Sequence, residues 1–109
     1  MERLTPTGPN AEQITYWNEQ GGPRWVRLQD QLDQQLAPFG YVVMDHLGIG
    51  DGERVLDVGC GCGETSFQLG RRVGAKGSVV GIDISTIMLE RARERGANVK
   101  NVQFLVADA

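Results

Sequence analysis

The chain has 109 residues, of which 40% are hydrophobic and 23% charged, and its formal net charge is −3. A chain of this length forms one domain at most, and the composition is that of an ordinary globular protein. The acidic balance argues against a dedicated nucleic-acid binder, and no apolar run reaches the roughly 18 residues that a membrane-spanning helix needs. We therefore expect neither a nucleic-acid nor a membrane partner. The N-terminus has no apolar signal core, which predicts a cytoplasmic protein.

The first half of the chain predicts a short loop followed by helices. Residues 1–10 are rich in Pro, Thr and Gly, which predicts a flexible N-terminus. Residues 11–50 predict a helical segment, because apolar residues recur at three- and four-residue spacing from Trp25 to Phe39. Gly22-Pro23 predicts a break between a short helix and a longer one, and Pro38 leaves open a second division.

Residues 51–109 alternate short β-branched runs with helical stretches. The runs predict strands over 55–58, 79–82 and 102–106, and the stretches between them predict helices over 64–73 and 86–95. Nearly continuous apolar strands separated by helices are typical of a parallel sheet that is buried on both faces. Right-handed crossovers then predict an α/β fold with strand order 3-2-1 and both helices on one face.

The stretch V-L-D-V-G-C-G-C-G-E-T, from Val55 to Thr65, places three alternate glycines directly behind the first strand. Ligands of parallel sheets bind beyond the carboxyl ends of the strands, which is where these glycines fall. The dinucleotide pattern G-x-G-x-x-G fails in one register and fits only loosely in the other. The glycines therefore predict a ligand close to the backbone, but they do not specify a dinucleotide.

Charge favours a ligand without phosphates. Asp57 ends the first strand and Glu64 opens the next helix, and two carboxylates there repel a diphosphate but attract a cation. S-adenosylmethionine combines an adenosine with a positively charged, phosphate-free tail and fits this pattern. A nucleotide-dependent oxidoreductase is the less favoured alternative.

The two cysteines, Cys60 and Cys62, both lie among these glycines. A C-x-C pair supplies two zinc ligands at best, and His46 is the single histidine that could add a third. A disulfide over so short a span would be strained. We therefore predict reduced thiols and no metal site.

Three motifs together resemble a known enzyme family. V-L-D-V-G-C-G-C-G, V-V-G-I-D-I-S and F-L-V-A-D-A are similar, in order and spacing, to the first three cofactor motifs of class I S-adenosylmethionine-dependent methyltransferases. The likeness is greatest to the small-molecule group that includes the quinone-biosynthesis methyltransferases, and it covers about residues 50–109. It implies a Rossmann-like fold, S-adenosylmethionine as the cofactor and a small-molecule methyl acceptor. The segment Y-W-N-E-Q-G-G-P-R-W resembles the helical lid of some members, which implies that Tyr16 closes over the methionine end.

The resemblance also implies roles for the glycine-rich motif. Asp57 would orient the methionine ammonium, directly or through water. Gly59, Cys60 and Gly61 would let the backbone approach the amino-acid tail, and Gly63 would allow close packing where the helix begins.

The second and third motifs would hold the nucleoside. Asp83 would accept hydrogen bonds from both ribose hydroxyls, and Ile84 and Met88 would form an apolar surface against the adenine. Asp108 would accept a hydrogen bond from the adenine amino group, with the backbone of Ala107 nearby.

Several of these residues also have a purely structural interpretation. Asp83 alone could cap a helix, and Asp108 alone could be a solvated strand end. Trp17 and Trp25 are expected to pack in the core or the lid, and the alternating charges of residues 90–95 predict a solvated helix face. The three motifs at family spacing favour the cofactor hypothesis over these alternatives.

The chain ends directly behind the third predicted strand, whereas the family places much of its substrate pocket beyond that point. We therefore expect a truncated, cofactor-binding half, assign no catalytic residue, and keep a non-catalytic binding module as an alternative. The first strand would be an open edge and one sheet face would be bare. This predicts a homo-oligomer formed through that edge or face, unless the N-terminal helices cross over to cover it.

Overall fold

The computed structural model describes residues 2–109, which form five helices and three strands. The helices are α1 (Ala11–Glu19), α2 (Gly21–Arg27), α3 (Gln29–Leu47), α4 (Glu64–Val73) and α5 (Thr86–Arg95), and the strands are β1 (Arg54–Val58), β2 (Ser78–Asp83) and β3 (Val102–Val106). The strands and helices predicted after residue 51 are all confirmed. The predicted flexible segment 1–10 begins at Met1, which lies outside the described residues.

The three strands form one parallel sheet in the order β1-β2-β3, which is the predicted 3-2-1 ladder viewed from its other edge. Helices α4 and α5 cover one face of the sheet. The core lies between these helices and the sheet, and in it the rings of Phe67 of α4 and Phe104 of β3 meet edge to face with centroids 5.6 Å apart. Leu89 of α5 is fully buried in the same cluster. The α/β parallel-sheet prediction is confirmed.

The N-terminal segment is helical, but its breaks differ from the prediction. They fall at Gln20 and Leu28, and Gly21-Gly22-Pro23 begins α2 instead of interrupting a helix. Proline is tolerated in a first helical turn, where an amide N–H has no helical partner. Pro38 does not divide α3, because one proline removes a single backbone hydrogen bond while Met44 further along packs into the core.

Hydrogen bonds from buried side chains dock the N-terminal helices on the start of α5. Asn18 donates to the Ile84 carbonyl at 2.9 Å and accepts from the Thr86 amide at 2.9 Å. The Ser85 hydroxyl donates to the Trp17 carbonyl at 2.6 Å. Since α1 and α2 contact α5, and α3 contacts α4, these helices lie on the side of the sheet that α4 and α5 already cover.

The opposite face of the sheet carries exposed apolar side chains. Leu56 and Val58 of β1 are 60% and 57% exposed, and Leu105 of β3 is 49% exposed. Within residues 2–109, β1 pairs with β2 alone, so its other edge is open. The N-terminal helices do not cross to this face, so the alternative to self-association that the sequence left open is not the arrangement found.

None of the helices within residues 2–109 has the length and apolarity needed to cross a membrane.

The docking of α2 generates a first prediction. A Cβ on Gly22 would lie 1.9 Å from the Trp17 carbonyl oxygen and 2.7 Å from Ser85 Oγ. Gly22→Ala should therefore lower the free energy of unfolding by roughly 1–3 kcal/mol, the usual cost of overpacking. Gly50→Ala is the matched control, because a Cβ there meets nothing within 4 Å. Urea unfolding of both variants measures this, and equal stabilities would contradict the close packing.

Candidate functional site

A cavity of about 500 Å³ opens at the carboxyl edge of the sheet, between that edge and the N-terminal helices. Most residues that sequence reasoning placed at the cofactor line this cavity: Gly59, Cys60, Gly61, Gly63, Asp83, Ile84, Met88, Ala107 and Asp108. Tyr16 and Asp57 are the two that are not part of the lining. The fold therefore brings together nine of the eleven predicted residues.

The glycine loop, residues 59–63, is tied to the end of the neighbouring strand. The amides of Gly59 and Cys60 both donate to the Ile82 carbonyl, at 2.8 and 3.0 Å. Gly59, Gly61 and Gly63 have φ values of +75°, +56° and +96°, a region that favours glycine. A Cβ on Gly61 would also meet the Met88 methyl at 2.9 Å, so glycine keeps this side of the cavity open.

Asp83 joins the loop to the start of α5. One carboxylate oxygen accepts from the Gly61 amide at 2.8 Å, and the other accepts from the Ser85 amide at 2.8 Å. The helix cap itself is Ser85, whose hydroxyl accepts from the Met88 amide at 3.3 Å. An ionised carboxylate has about four acceptor sites, so two remain for a ligand in the cavity.

Asp57 lies beneath the glycine loop, where the Ser66 hydroxyl of α4 donates to it at 2.7 Å. Burial raises the pKa of this carboxyl, the hydrogen bond from Ser66 lowers it, and the negative charge of Asp83 raises it further, with a net upward shift. Asp57 therefore ties β1 to α4 and is not among the residues that line the cavity.

The far wall of the cavity comes from the segment after β3. The Ala107 amide donates to the Asp83 backbone carbonyl at 3.1 Å, which continues the sheet ladder to the cavity. The Asp108 carboxylate accepts from the side-chain amide of Asn10 at 2.6 Å. This contact brings the residue before α1 to the third predicted motif.

The N-terminal helices contribute residues that sequence reasoning did not assign to the site. From these helices Trp17, Trp25, Asp33, Leu36 and Ala37 line the cavity, and other unassigned lining residues are Asn10, which precedes α1, and Glu64, Thr65 and Gln68 of α4. The two indoles contact each other edge to face at 6.1 Å, so the packing role expected of them is confirmed, but they also form an apolar wall of the cavity. Tyr16 packs edge to face on Trp17, with ring centroids 5.1 Å apart. The Y-W-N-E-Q-G-G-P-R-W likeness was the one signal for this wall.

Two charge interpretations from the sequence are corrected. Glu64 is not an uncompensated charge at the start of α4, because the Arg95 guanidinium donates to it at 2.9 Å. The same guanidinium forms an ion pair with Asp33 of α3 at 3.0 Å, and only 18% of its side chain is exposed. Residues 90–95 are therefore not a wholly solvated face, and the argument against a diphosphate cannot rest on Glu64.

The cysteines are free and buried, as expected for small residues in a crowded turn. Burial raises the pKa of the Cys62 thiol to about 11, and it also raises the pKa of Cys60. Thiols with raised pKa values are poor nucleophiles at neutral pH. Among residues 2–109, no group of three or more His, Cys, Asp or Glu side chains is placed to hold a metal ion.

Known proteins are similar to this chain in sequence and in fold. The family model described as a methyltransferase domain matches residues 49–109, more than half of the chain. A demethylmenaquinone methyltransferase of Staphylococcus aureus is 42% identical over 101 residues, which are 92% of this chain and 42% of that protein. The chain thus spans less than half the length of the curated relatives it matches.

Solved structures agree with that family. A SAM-dependent methyltransferase from Aquifex aeolicus is 35% identical with a TM-score of 0.59, over 63% of this chain and 38% of that one. Coclaurine N-methyltransferase, bound to N-methylheliamine and SAH, is 26% identical with a TM-score of 0.60, over 66% of this chain and 22% of that one. With its glycine loop and Asp83 at one cavity, the chain belongs to the methyltransferase domain family of S-adenosylmethionine-dependent enzymes.

Proposed function

We propose that this chain is the cofactor-binding portion of an S-adenosylmethionine-dependent methyltransferase that acts on a small molecule. The observation that carries the proposal is the position of Asp83 and the hydrogen bonds of its carboxylate. Its carboxylate lines the cavity, is anchored by the Gly61 and Ser85 amides, and keeps two acceptor sites for the two ribose hydroxyls. Coclaurine N-methyltransferase, whose structure holds SAH, supports the same class of cofactor here.

The cavity lining fits an adenosine with a cationic tail. Asp83 and Asp108 offer acceptors for hydroxyl and amino groups, and Met88 and Ile84 offer apolar surface beside them. The three glycines of the loop present backbone without side chains where a ligand tail would pass. The residues present therefore suit S-adenosylmethionine, with Asp83 at the ribose, Asp108 at the adenine and the glycine loop at the amino-acid tail.

When bound, S-adenosylmethionine supplies an electrophilic methyl group on a sulfonium. The contribution of this chain is to hold and orient, because methyl transfer depends largely on aligning the acceptor with that methyl group. The cavity walls of Trp17, Trp25 and Leu36 would exclude water beside the cofactor and present an apolar surface to an acceptor ring.

The acceptor is proposed to be an apolar small molecule. The Staphylococcus aureus relative is named for demethylmenaquinone, which makes this quinone the first acceptor to assay. A binding module without activity is the alternative, and a methyl-transfer assay with labelled cofactor separates the two. The cytoplasmic location and the absence of nucleic-acid and membrane partners stay predictions, as do the boundaries at residues 10 and 50.

Loss of Asp83 tests the cofactor site. S-adenosylhomocysteine should bind the wild-type chain in a calorimetric titration, whereas NADH should not. Asp83→Ala should weaken binding by roughly 2–4 kcal/mol, since two hydrogen bonds to a charged group are lost. Asp83→Asn, which keeps the shape of the side chain, should weaken it less.

Asp30→Asn is the control variant, because it removes the same charge from an exposed position. Melting curves check that each variant folds. Equal affinities across the Asp83 series would refute its ribose role. Tight binding of NADH would instead favour the oxidoreductase alternative.

Asp57 is proposed to orient the methionine ammonium, directly or through water, from beneath the loop. Its raised pKa means that the folded state binds the proton more tightly than the unfolded state, so ionised Asp57 lowers stability at pH 7. Asp57→Asn should therefore raise the free energy of unfolding at pH 7. That gain should shrink as the pH falls towards the ordinary range of a carboxyl, where the wild-type group is also protonated.

The same variant should bind S-adenosylhomocysteine more weakly at pH 7, because the ammonium loses its counter-charge. Urea unfolding and calorimetry between pH 7 and pH 4 measure both effects, with the exposed Glu90→Gln as the control. A stability gain that stays constant over this range would show that Asp57 is not the titrating group.

The exposed sheet edge leads to a proposal about assembly. The 109-residue chain is proposed to self-associate by pairing β1 with β1 of a second copy about a two-fold axis. Light scattering at micromolar concentration should then report a dimer, and Leu56→Lys should shift it towards the monomer. Phe39→Lys, on the exposed side of α3, should leave the dimer intact. A monomer in the wild-type chain would overturn this proposal.

A further inference from the structure

Arg95 has the densest set of polar contacts near the cavity, yet no cofactor motif contains it. It lies in the last turn of α5, and its guanidinium donates to the Cys62 carbonyl at 2.8 Å and to Glu64 at 2.9 Å. It also forms an ion pair with Asp33 at 3.0 Å and stacks on the Phe67 ring at 5.3 Å. These contacts join α5, the glycine loop, α4 and α3 at a single side chain.

A second layer of hydrogen bonds fixes the partners of Arg95. The buried Gln29 donates to Asp33 at 2.5 Å and accepts from Arg91 at 3.0 Å, which attaches the first turns of α3 to α5. Asp33 and Glu64 both line the cavity. Arg95 therefore contacts two carboxylates that line the cavity, those of Asp33 and Glu64, as well as the Cys62 carbonyl of the glycine loop.

Arg95 is the cation that the two carboxylates of this cluster share. Asp33 and Glu64 bring two negative charges to the cavity lining and Arg95 contacts both, whereas the exposed Arg71 reaches Glu64 alone, at 4.0 Å. Without it, two half-buried carboxylates would face a cavity that already contains Asp83. Such a change would favour a cationic ligand over a neutral one, because half-buried charges are screened less than those at the surface.

We propose that Arg95 is a positioning residue, which holds the glycine loop and α3 in place around the cavity and offsets the charges of Asp33 and Glu64. This inference rests on the proposed function, because it concerns the same cavity. It links the N-terminal helices to the cofactor site through one guanidinium, which supplies the planar fork that a lysine lacks.

Amide hydrogen exchange of the ligand-free protein tests whether Arg95 holds the glycine loop and α3 in place. Arg95→Gln should speed amide exchange in residues 61–64 and in the first turns of α3. Asp33→Asn should speed it in α3 alone, because the bond to the Cys62 carbonyl is kept. The control Lys100→Gln removes the same charge from an exposed position and should change neither segment.

The binding of two related probes tests whether Arg95 offsets the charges of Asp33 and Glu64. S-adenosylmethionine carries a sulfonium charge that S-adenosylhomocysteine lacks. Arg95→Gln should weaken the binding of S-adenosylhomocysteine roughly tenfold, within the usual range of coupling between sites. It should weaken the binding of S-adenosylmethionine less. The preference for S-adenosylmethionine should thus rise by about threefold or more. Arg95→Lys should lose affinity for both probes but keep the wild-type preference, since it retains the charge without the fork.

The outcomes separate this inference from the proposed function. Unchanged exchange in residues 61–64 and an unchanged preference in Arg95→Gln would overturn the inference, even where the wild-type chain binds both probes. Failure of the wild-type chain to bind either probe would refute the cofactor proposal and the charge-offsetting role of Arg95 together. The exchange experiment would still decide whether Arg95 holds the loop and α3.

Discussion

The hydrogen bonds between the glycine loop and the end of β2 are the constraint on which the rest of the site depends. The Ile82 carbonyl accepts from Gly59 and Cys60, and the Asp83 carboxylate accepts from Gly61. These bonds turn the chain sharply behind β1, so that α4 can begin at Glu64 over the covered face of the sheet. Because the turn needs positive φ at three positions, three of its five residues are glycines without side chains, and a cavity remains beside them.

The same region of β2 and α5 positions the N-terminal helices. Asn18 bonds the backbone on either side of Ser85, and Ser85 in turn bonds the Trp17 carbonyl. A buried side chain that satisfies all of its polar atoms specifies one geometry, because each broken bond would leave a desolvated group unpaired. The wall formed by Trp17 and Trp25 is thereby held over the end of the strand that carries Asp83.

Charge around the cavity is balanced from outside the cofactor motifs. Glu64 and Asp33 come from different helices and would repel each other across the loop, but Arg95 reaches both from the end of α5. The interaction is half-buried, so it is screened less than a surface ion pair. Asp57 differs, since a neutral hydroxyl from Ser66 is its hydrogen-bond donor and its pKa is raised. The site therefore contains two carboxylates, Asp33 and Glu64, whose charges Arg95 offsets. It also contains a third, Asp57, that burial makes harder to ionise.

The amino-acid sequence by itself determined the sheet and the two helices that cover it, because hydrophobic periodicity is a local signal. Glycine spacing indicated a ligand beside the loop, and the resemblance of three motifs to class I methyltransferases predicted the nine cavity residues. The breaks at Gln20 and Leu28 were misjudged, since Gly21-Gly22-Pro23 takes its helical conformation from packing against Trp17 and Ser85. Only the tertiary structure placed Asp57 against Ser66, outside the cavity lining, and Arg95 beside Asp33. These contacts join residues up to 62 positions apart in the chain. No local pattern encodes such pairings, because they depend on how the helices pack across the sheet.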